Sequence, residues 1–127
     1  MPSAPFDWAE YLRLAEALAN KSDEASQRTA ISRAYYFVYH IASARAVTNG
    51  YPSGQQSHAK IWKLYQDQSD FDARRLATRG TAMKRVRESA DYKAVVALIP
   101  DQLAQQLIDA KEFLQKLTNL PTNIPIP

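Results

Sequence analysis

Arg33 and His40 stand seven residues apart in Ser32-Arg33-Ala34-Tyr35-Tyr36-Phe37-Val38-Tyr39-His40, a stretch with the character of a helix interior. At roughly 100° per residue, seven steps make about two turns, so the two side chains share one helical face. Tyr36 and Phe37 fall between them on that face. A guanidinium can clamp a phosphate through a fork of hydrogen bonds. An imidazole can take or deliver a proton near neutral pH. Held together in an aromatic setting, the pair has the minimum equipment for cleaving RNA without a metal. The expected pH dependence is that of an imidazole with an ordinary pKa of about 6.5.

Other chemistries find little support. The chain has two histidines and no cysteine. That excludes disulfide scaffolds, thiolate metal sites and cysteine nucleophiles. Neither histidine sits in a His-x-x-x-His or Glu-x-x-His arrangement, so no metal and no cofactor is expected. There is no glycine-rich phosphate loop. Ser32 adjoins Arg33 but points to another face, which leaves a Ser/His/Asp triad without support.

Charge adds a second clue. The formal net charge of +3 conceals a concentration of cations in the middle of the chain. Residues 25–66 carry five basic side chains and no acidic one, whereas residues 1–24 carry two basic and five acidic. The segment Lys84-Arg85-Val86-Arg87 adds to the basic region. A focused positive patch favours a polyanion such as RNA, against the plainer reading of a solvated basic face.

These residues need a frame, and the chain reads as helices joined by short breaks. Only three glycines occur, and no strand-like alternation persists. The spacing predicts helices over about 7–20, 23–48, 57–68, 70–90 and 100–119. Ser57 is a plausible N-cap, Asn49-Gly50-Tyr51-Pro52-Ser53-Gly54 is the clearest loop, and Gly80 is a weak point in the fourth helix. The expected architecture is all-α: an up-and-down bundle of four to five helices in a single domain over 1–120, followed by an extended Pro-rich tail over 121–127. The second helix is apolar on two sides. One stripe holds Ile31, Ala34, Tyr35, Val38, Ile41 and Ala42; the other holds Phe37, Ala44 and Val47 around Arg33, Tyr36 and His40. A helix apolar on both sides is buried on both sides. A second copy of the chain is the simplest cover for the Arg33/His40 side, which predicts a homodimer. No run of 18 apolar residues is present, and the N-terminus lacks the basic start and apolar run of a signal peptide, so a cytoplasmic protein is expected.

Arg28-Thr29-Ala30-Ile31-Ser32-Arg33-Ala34-Tyr35-Tyr36-Phe37-Val38-Tyr39-His40 resembles the Arg-Ala-Tyr-Tyr-x-x-x-His helix of the HEPN family of small helical proteins. His58 matches a histidine often placed there in the family, Arg87-Glu88-Ser89-Ala90-Asp91-Tyr92 is similar to its Arg-x-x-Ala-Asp-Tyr element, and Ala110-Lys111-Glu112-Phe113-Leu114 resembles its last helix. The resemblance covers roughly residues 7–118. It implies a HEPN-like bundle, commonly dimeric, and a metal-independent endoribonuclease whose Arg-x4-6-His motif works at the dimer cleft. It also implies a setting as a toxin or phage-defence effector, with a minimal nucleotidyltransferase as antitoxin partner. On this resemblance Arg33 and His40 are the catalytic pair.

Each residue has a plainer alternative. Arg33 could form a structural ion pair with Asp91, and His40 could be a hydrogen-bonded core histidine. Tyr36, His58, Lys84, Arg85 and Arg87 are candidates for substrate binding, His58 otherwise being a helix-start residue and the three cations a solvated face. Asp91 and Tyr92 are expected to support the fold by pinning the fourth helix to the second. The rival reading of the whole chain is a non-catalytic HEPN module that binds a nucleotide or a nucleotidyltransferase partner. Ala34, where many nuclease members carry a polar residue, favours that rival.

Overall fold

A computed structural model describes residues 4–54 and 57–125. Five helices follow one another: α1 (Ala9–Ala19), α2 (Glu24–Thr48), α3 (His58–Gln66), α4 (Phe71–Tyr92) and α5 (Ile99–Thr118). No strand occurs among the described residues, and no helix there is long and apolar enough to cross a membrane. The helix starts follow from capping chemistry. Asp23 accepts from the Ser26 amide at 2.9 Å, Ser57 from the Lys60 amide at 3.2 Å and Asp70 from the Ala73 amide at 2.9 Å. Each such cap satisfies an amide that the helix cannot, worth typically about 1 kcal/mol.

The 25-residue helix α2 runs through the centre. It packs on α1, α4 and α5, while α3 lies chiefly against α4. Ile31, Tyr35, Phe37 and Val38 of α2 meet Ile61 and Tyr65 of α3, Leu76 and Met83 of α4 and Phe113 of α5 in one core. The first stripe of α2 is used inside the chain, as is Phe37 of the second. Of the second stripe, expected to need another copy of the protein, Phe37 is buried in the core, Trp8 and Tyr11 pack beside Arg33 and His40, which with Tyr36 stay half-buried, and Ala44 and Val47 are exposed. The physical reason for the partial cover is that Trp8, just before α1, and Tyr11 within it present aromatic rings, which cover more area than a short helix otherwise could.

Two arginines tie down chain ends. Arg28 donates to the carbonyls of Ala90 (3.0 Å), Lys93 and Ala94 (3.2 Å), so it closes the C-terminal end of α4. Arg45 donates to the carbonyls of Leu120 (3.0 Å), Pro121 (2.8 Å) and Ile124 (2.7 Å). The tail expected to be extended instead turns back on the bundle over residues 121–125; residues 126 and 127 lie outside the described residues. Gly80 is no weak point either. It is buried within an unbroken α4, and a Cβ there would meet the Trp62 ring at 2.5 Å. The glycine is what lets the indole lie against the helix.

Candidate functional site

Three helices bring the sequence candidates to one place. Arg33, Tyr36 and His40 descend one face of α2, His58 opens α3, and Arg87 comes from the last third of α4. Tyr36 is the shared element. Its ring centre lies 4.8 Å from the Arg33 guanidinium carbon and 5.4 Å from that of Arg87, and its edge meets His58 at 5.7 Å.

Arg33 is held between two rings, Tyr11 of α1 and Tyr36, each 4.8 Å from its guanidinium carbon. Among the described residues it forms no ion pair. The expected structural partner, Asp91, is taken by others: it accepts from Arg87 at 3.2 Å and from the Ser32 hydroxyl at 3.3 Å. Asp91 thereby joins α4 to α2, as a supporting residue would. Tyr92 is largely exposed, its ring 5.9 Å from the Arg87 guanidinium carbon, and its side chain is a hydrogen-bond neighbour of Arg87 within α4.

Arg87 overturns the expectation of a solvated cation. It is only 7% exposed, packed against Tyr35 and Tyr36, and its Nε is buried with no hydrogen-bond partner. A buried donor without an acceptor is costly, and the same guanidinium is paired through Nη1 with Asp91. Lys84 lies one turn earlier on the same side of α4, paired at 3.7 Å with Glu88. Arg85 is two residues from Arg87, roughly 200° around the helix, and is exposed; it does not join the cluster.

The two imidazoles are held differently. His40 is stacked face to face on Trp8, the residue just before α1, ring centres 3.6 Å apart and planes 5° from parallel. Burial, then the charges of His58 and Arg33, lower its pKa from 6.5 to about 4, well below the ordinary value expected from sequence. His58 stacks on Tyr39 at 3.8 Å, and its Nδ1 lies 2.7 Å from the Tyr35 hydroxyl. Trp62 Nε1 donates to that same hydroxyl at 3.1 Å. An indole N–H can only donate, so the Tyr35 oxygen accepts from Trp62; we assign its own proton to His58 Nδ1, because a donating Nδ1–H would leave the buried phenol proton without an acceptor. This Trp62–Tyr35–His58 chain assigns the ring proton of His58 to Nε2. Burial, then the charges of Arg87 and Lys84, lowers the His58 pKa, and burial raises that of Tyr35. Both histidines are therefore neutral at pH 7, each with an acceptor or donor to offer.

Sequence reasoning missed the residues that hold the site. Tyr35 reads only as part of an apolar stripe, and Trp8, Tyr11, Tyr39 and Trp62 belong to no motif that would single them out. The only signal in the sequence was the density of aromatics around the two histidines. Among the described residues, no group of three or more His, Asp or Glu gathers in a way that could hold a metal ion. The result is a patch of two guanidinium groups, two neutral imidazoles and one ammonium, against Asp91 and Glu88. Such a patch can bind a phosphate oxygen, and an anion placed there would raise both imidazole pKa values by offsetting the cations that depress them. No protein-family model, no curated protein and no solved structure matches the chain.

Proposed function

We propose that the protein is a metal-independent endoribonuclease of the HEPN type that cleaves RNA by transesterification, working as a homodimer. The observation that carries this reading is the meeting of Arg33 and Arg87 with His40 and His58 around Tyr36, where Arg33 has no carboxylate and Arg87 Nε has no acceptor. A phosphodiester supplies Arg33 with the anionic acceptor it lacks among the described residues. His40, neutral above about pH 4, takes the proton of a ribose 2′-OH. The 2′-oxygen attacks phosphorus, the 5′-oxygen leaves, and it regains a proton from the imidazolium that His40 becomes on taking the 2′-OH proton, or from a His58 imidazolium, whose pKa the bound phosphate raises. The products are a 2′,3′-cyclic phosphate and a 5′-hydroxyl. Arg33 and Arg87 hold the charge that grows on the non-bridging oxygens. Proton transfer of this kind is typically worth about 10²–10⁴-fold in rate. For the second copy, Tyr92 at the end of α4 and Val95 and Leu98 in the segment after it are exposed apolar side chains, as is Val47 of the second stripe of α2. Light scattering at micromolar concentration tests that part, and a monomer rejects it.

One observation favours the non-catalytic alternative. The face-to-face stack of Trp8 on His40, and the clamp of Tyr11 and Tyr36 on Arg33, are also what packing residues would do. A mutant series separates the two. If the site is catalytic, Arg33→Ala and His40→Ala abolish cleavage of single-stranded RNA while the protein stays folded. If it only packs, the wild type cuts nothing and both substitutions lower the melting temperature.

A further inference from the structure

Tyr11, Arg33, Tyr36, Arg87 and Tyr92 form a ladder in which rings and guanidinium groups alternate. The Arg33 guanidinium carbon lies 4.8 Å from the Tyr11 ring and 4.8 Å from the Tyr36 ring; that of Arg87 lies 5.4 Å from Tyr36 and 5.9 Å from Tyr92. The electron-rich face of a ring attracts a cation, so each step holds the next. Tyr92 ends the ladder and is 78% exposed, which leaves its ring an open face. The same ring walls a groove of about 430 Å³ on the outer side of α4, with Arg85, Glu88, Ser89 and Lys93. Arg85, Glu88, Ser89 and Tyr92 recur at steps of three or four residues, one side of the helix, and Lys93 caps its end.

We propose that Tyr92 is a stacking platform for one base of a single-stranded RNA, with Arg85 and Lys93 holding the phosphates next to that base. The proposal rests on the ribonuclease reading above and names where the strand is gripped beside the cut. Three observations carry it. The ring is open to solvent, as stacking requires. It touches the site directly, through Arg87 and then Tyr36. The charges around it call for an anion. Arg85 and Lys93 are exposed and form no ion pair among the described residues, whereas Glu88 is taken by Lys84 at 3.7 Å and Asp91 by Arg87 at 3.2 Å. Charge also decides between occupants. An apolar protein surface laid on Tyr92 would strip water from both free cations and return nothing, while RNA brings the phosphates they lack and releases counterions. Val95 and Leu98, in the segment after α4, carry no such cations between them and stay available to a second copy.

Fluorescence anisotropy of the full chain with a labelled 2′-O-methyl oligouridylate, which lacks the attacking hydroxyl, reads binding without cleavage. Tyr92→Ala and Tyr92→Leu are expected to weaken binding about fivefold or more, the scale of one lost stacked base. Tyr92→Trp keeps the platform and keeps the affinity. Arg85→Gln with Lys93→Gln weakens binding and flattens the salt slope by about 1–1.5, as two lost phosphate contacts on a single strand must. Parent-like affinity in both Tyr92→Ala and Tyr92→Leu overturns the proposal. So does loss of the dimer in Tyr92→Ala with unchanged affinity per protomer, which assigns the ring to a contact between copies. Failure of the ribonuclease reading looks different: binding that depends on Tyr92, with no cleavage of RNA by the wild type, leaves the platform standing and rejects the nuclease. RNA cleavage with binding indifferent to Tyr92 rejects the platform alone.

Discussion

Replacing Tyr35 by Phe removes one oxygen and nothing else, which makes it a sharp probe of how the site is held. That oxygen accepts from Trp62 Nε1 at 3.1 Å and donates to His58 Nδ1 at 2.7 Å. Tyr35 is fully buried and Trp62 is 4% exposed, so water cannot take over the indole N–H. A buried donor left without an acceptor costs about 1–3 kcal/mol. The His58 side costs less, because its ring is half-buried and Nδ1 can find solvent. The net expectation is a loss of about 1–3 kcal/mol, or a fall in melting temperature of roughly 4–12 °C for a domain of this size. A second readout separates site from packing. The Tyr35 proton stabilises neutral imidazole, so its removal raises the His58 pKa toward the ordinary histidine range. Urea unfolding and NMR titration of the two histidines check both. Y35F that melts within about 1 °C of the parent, with His58 titrating as before, refutes the Trp62–Tyr35–His58 chain.

Gly80→Ala sets helix propensity, about 1 kcal/mol in favour of alanine, against overpacking of about 1–3 kcal/mol, since the new methyl would lie 2.5 Å from the Trp62 ring. The expected outcome is a lower melting temperature, and a stabilised variant would show that the indole moves freely. Stability should depend on pH through His40. Its folded pKa of about 4 is below the unfolded value of 6.5, so the unfolded chain binds the extra proton; stability is full above about pH 6.5 and declines as pH falls toward 4. His40→Gln flattens that decline in thermal melts, and an unchanged slope assigns it to other groups. Arg28→Met frees the carbonyls of Ala90, Lys93 and Ala94 and should cost about 1–2 kcal/mol, with faster amide exchange at the end of α4; unchanged exchange there removes the capping role.

The helices were legible because their signals are local. Asp23, Ser57 and Asp70 announce three starts by their type and position, and each accepts the expected amide. The two stripes of α2 were legible for the same reason, since periodicity lies within one helix. What covers each stripe is a long-range fact. Nothing in the spacing of Trp8 and Tyr11 says that they close over His40 and Arg33 rather than over another part of the bundle. Arg87 was misjudged because a run of cations usually points to water, yet its place on α4 turns it inward under Tyr35 and Tyr36 while Arg85 stays outside. Gly80 was misjudged because propensity weighs only the helix it sits in, and its role belongs to the Trp62 ring of another. The depressed pKa of His40 likewise depends on burial and on charges that come from two helices.

Incubation of purified protein with a 3′-labelled single-stranded RNA in excess EDTA, followed by analysis of the new ends, tests the central proposal most directly. The account predicts cleavage that leaves 2′,3′-cyclic phosphate and 5′-hydroxyl ends, spares a substrate with deoxyribose at the cut, and is lost in Arg33→Ala and His40→Ala proteins that remain folded. Intact RNA after prolonged incubation with the wild-type protein, or cleavage that persists in both variants, contradicts it.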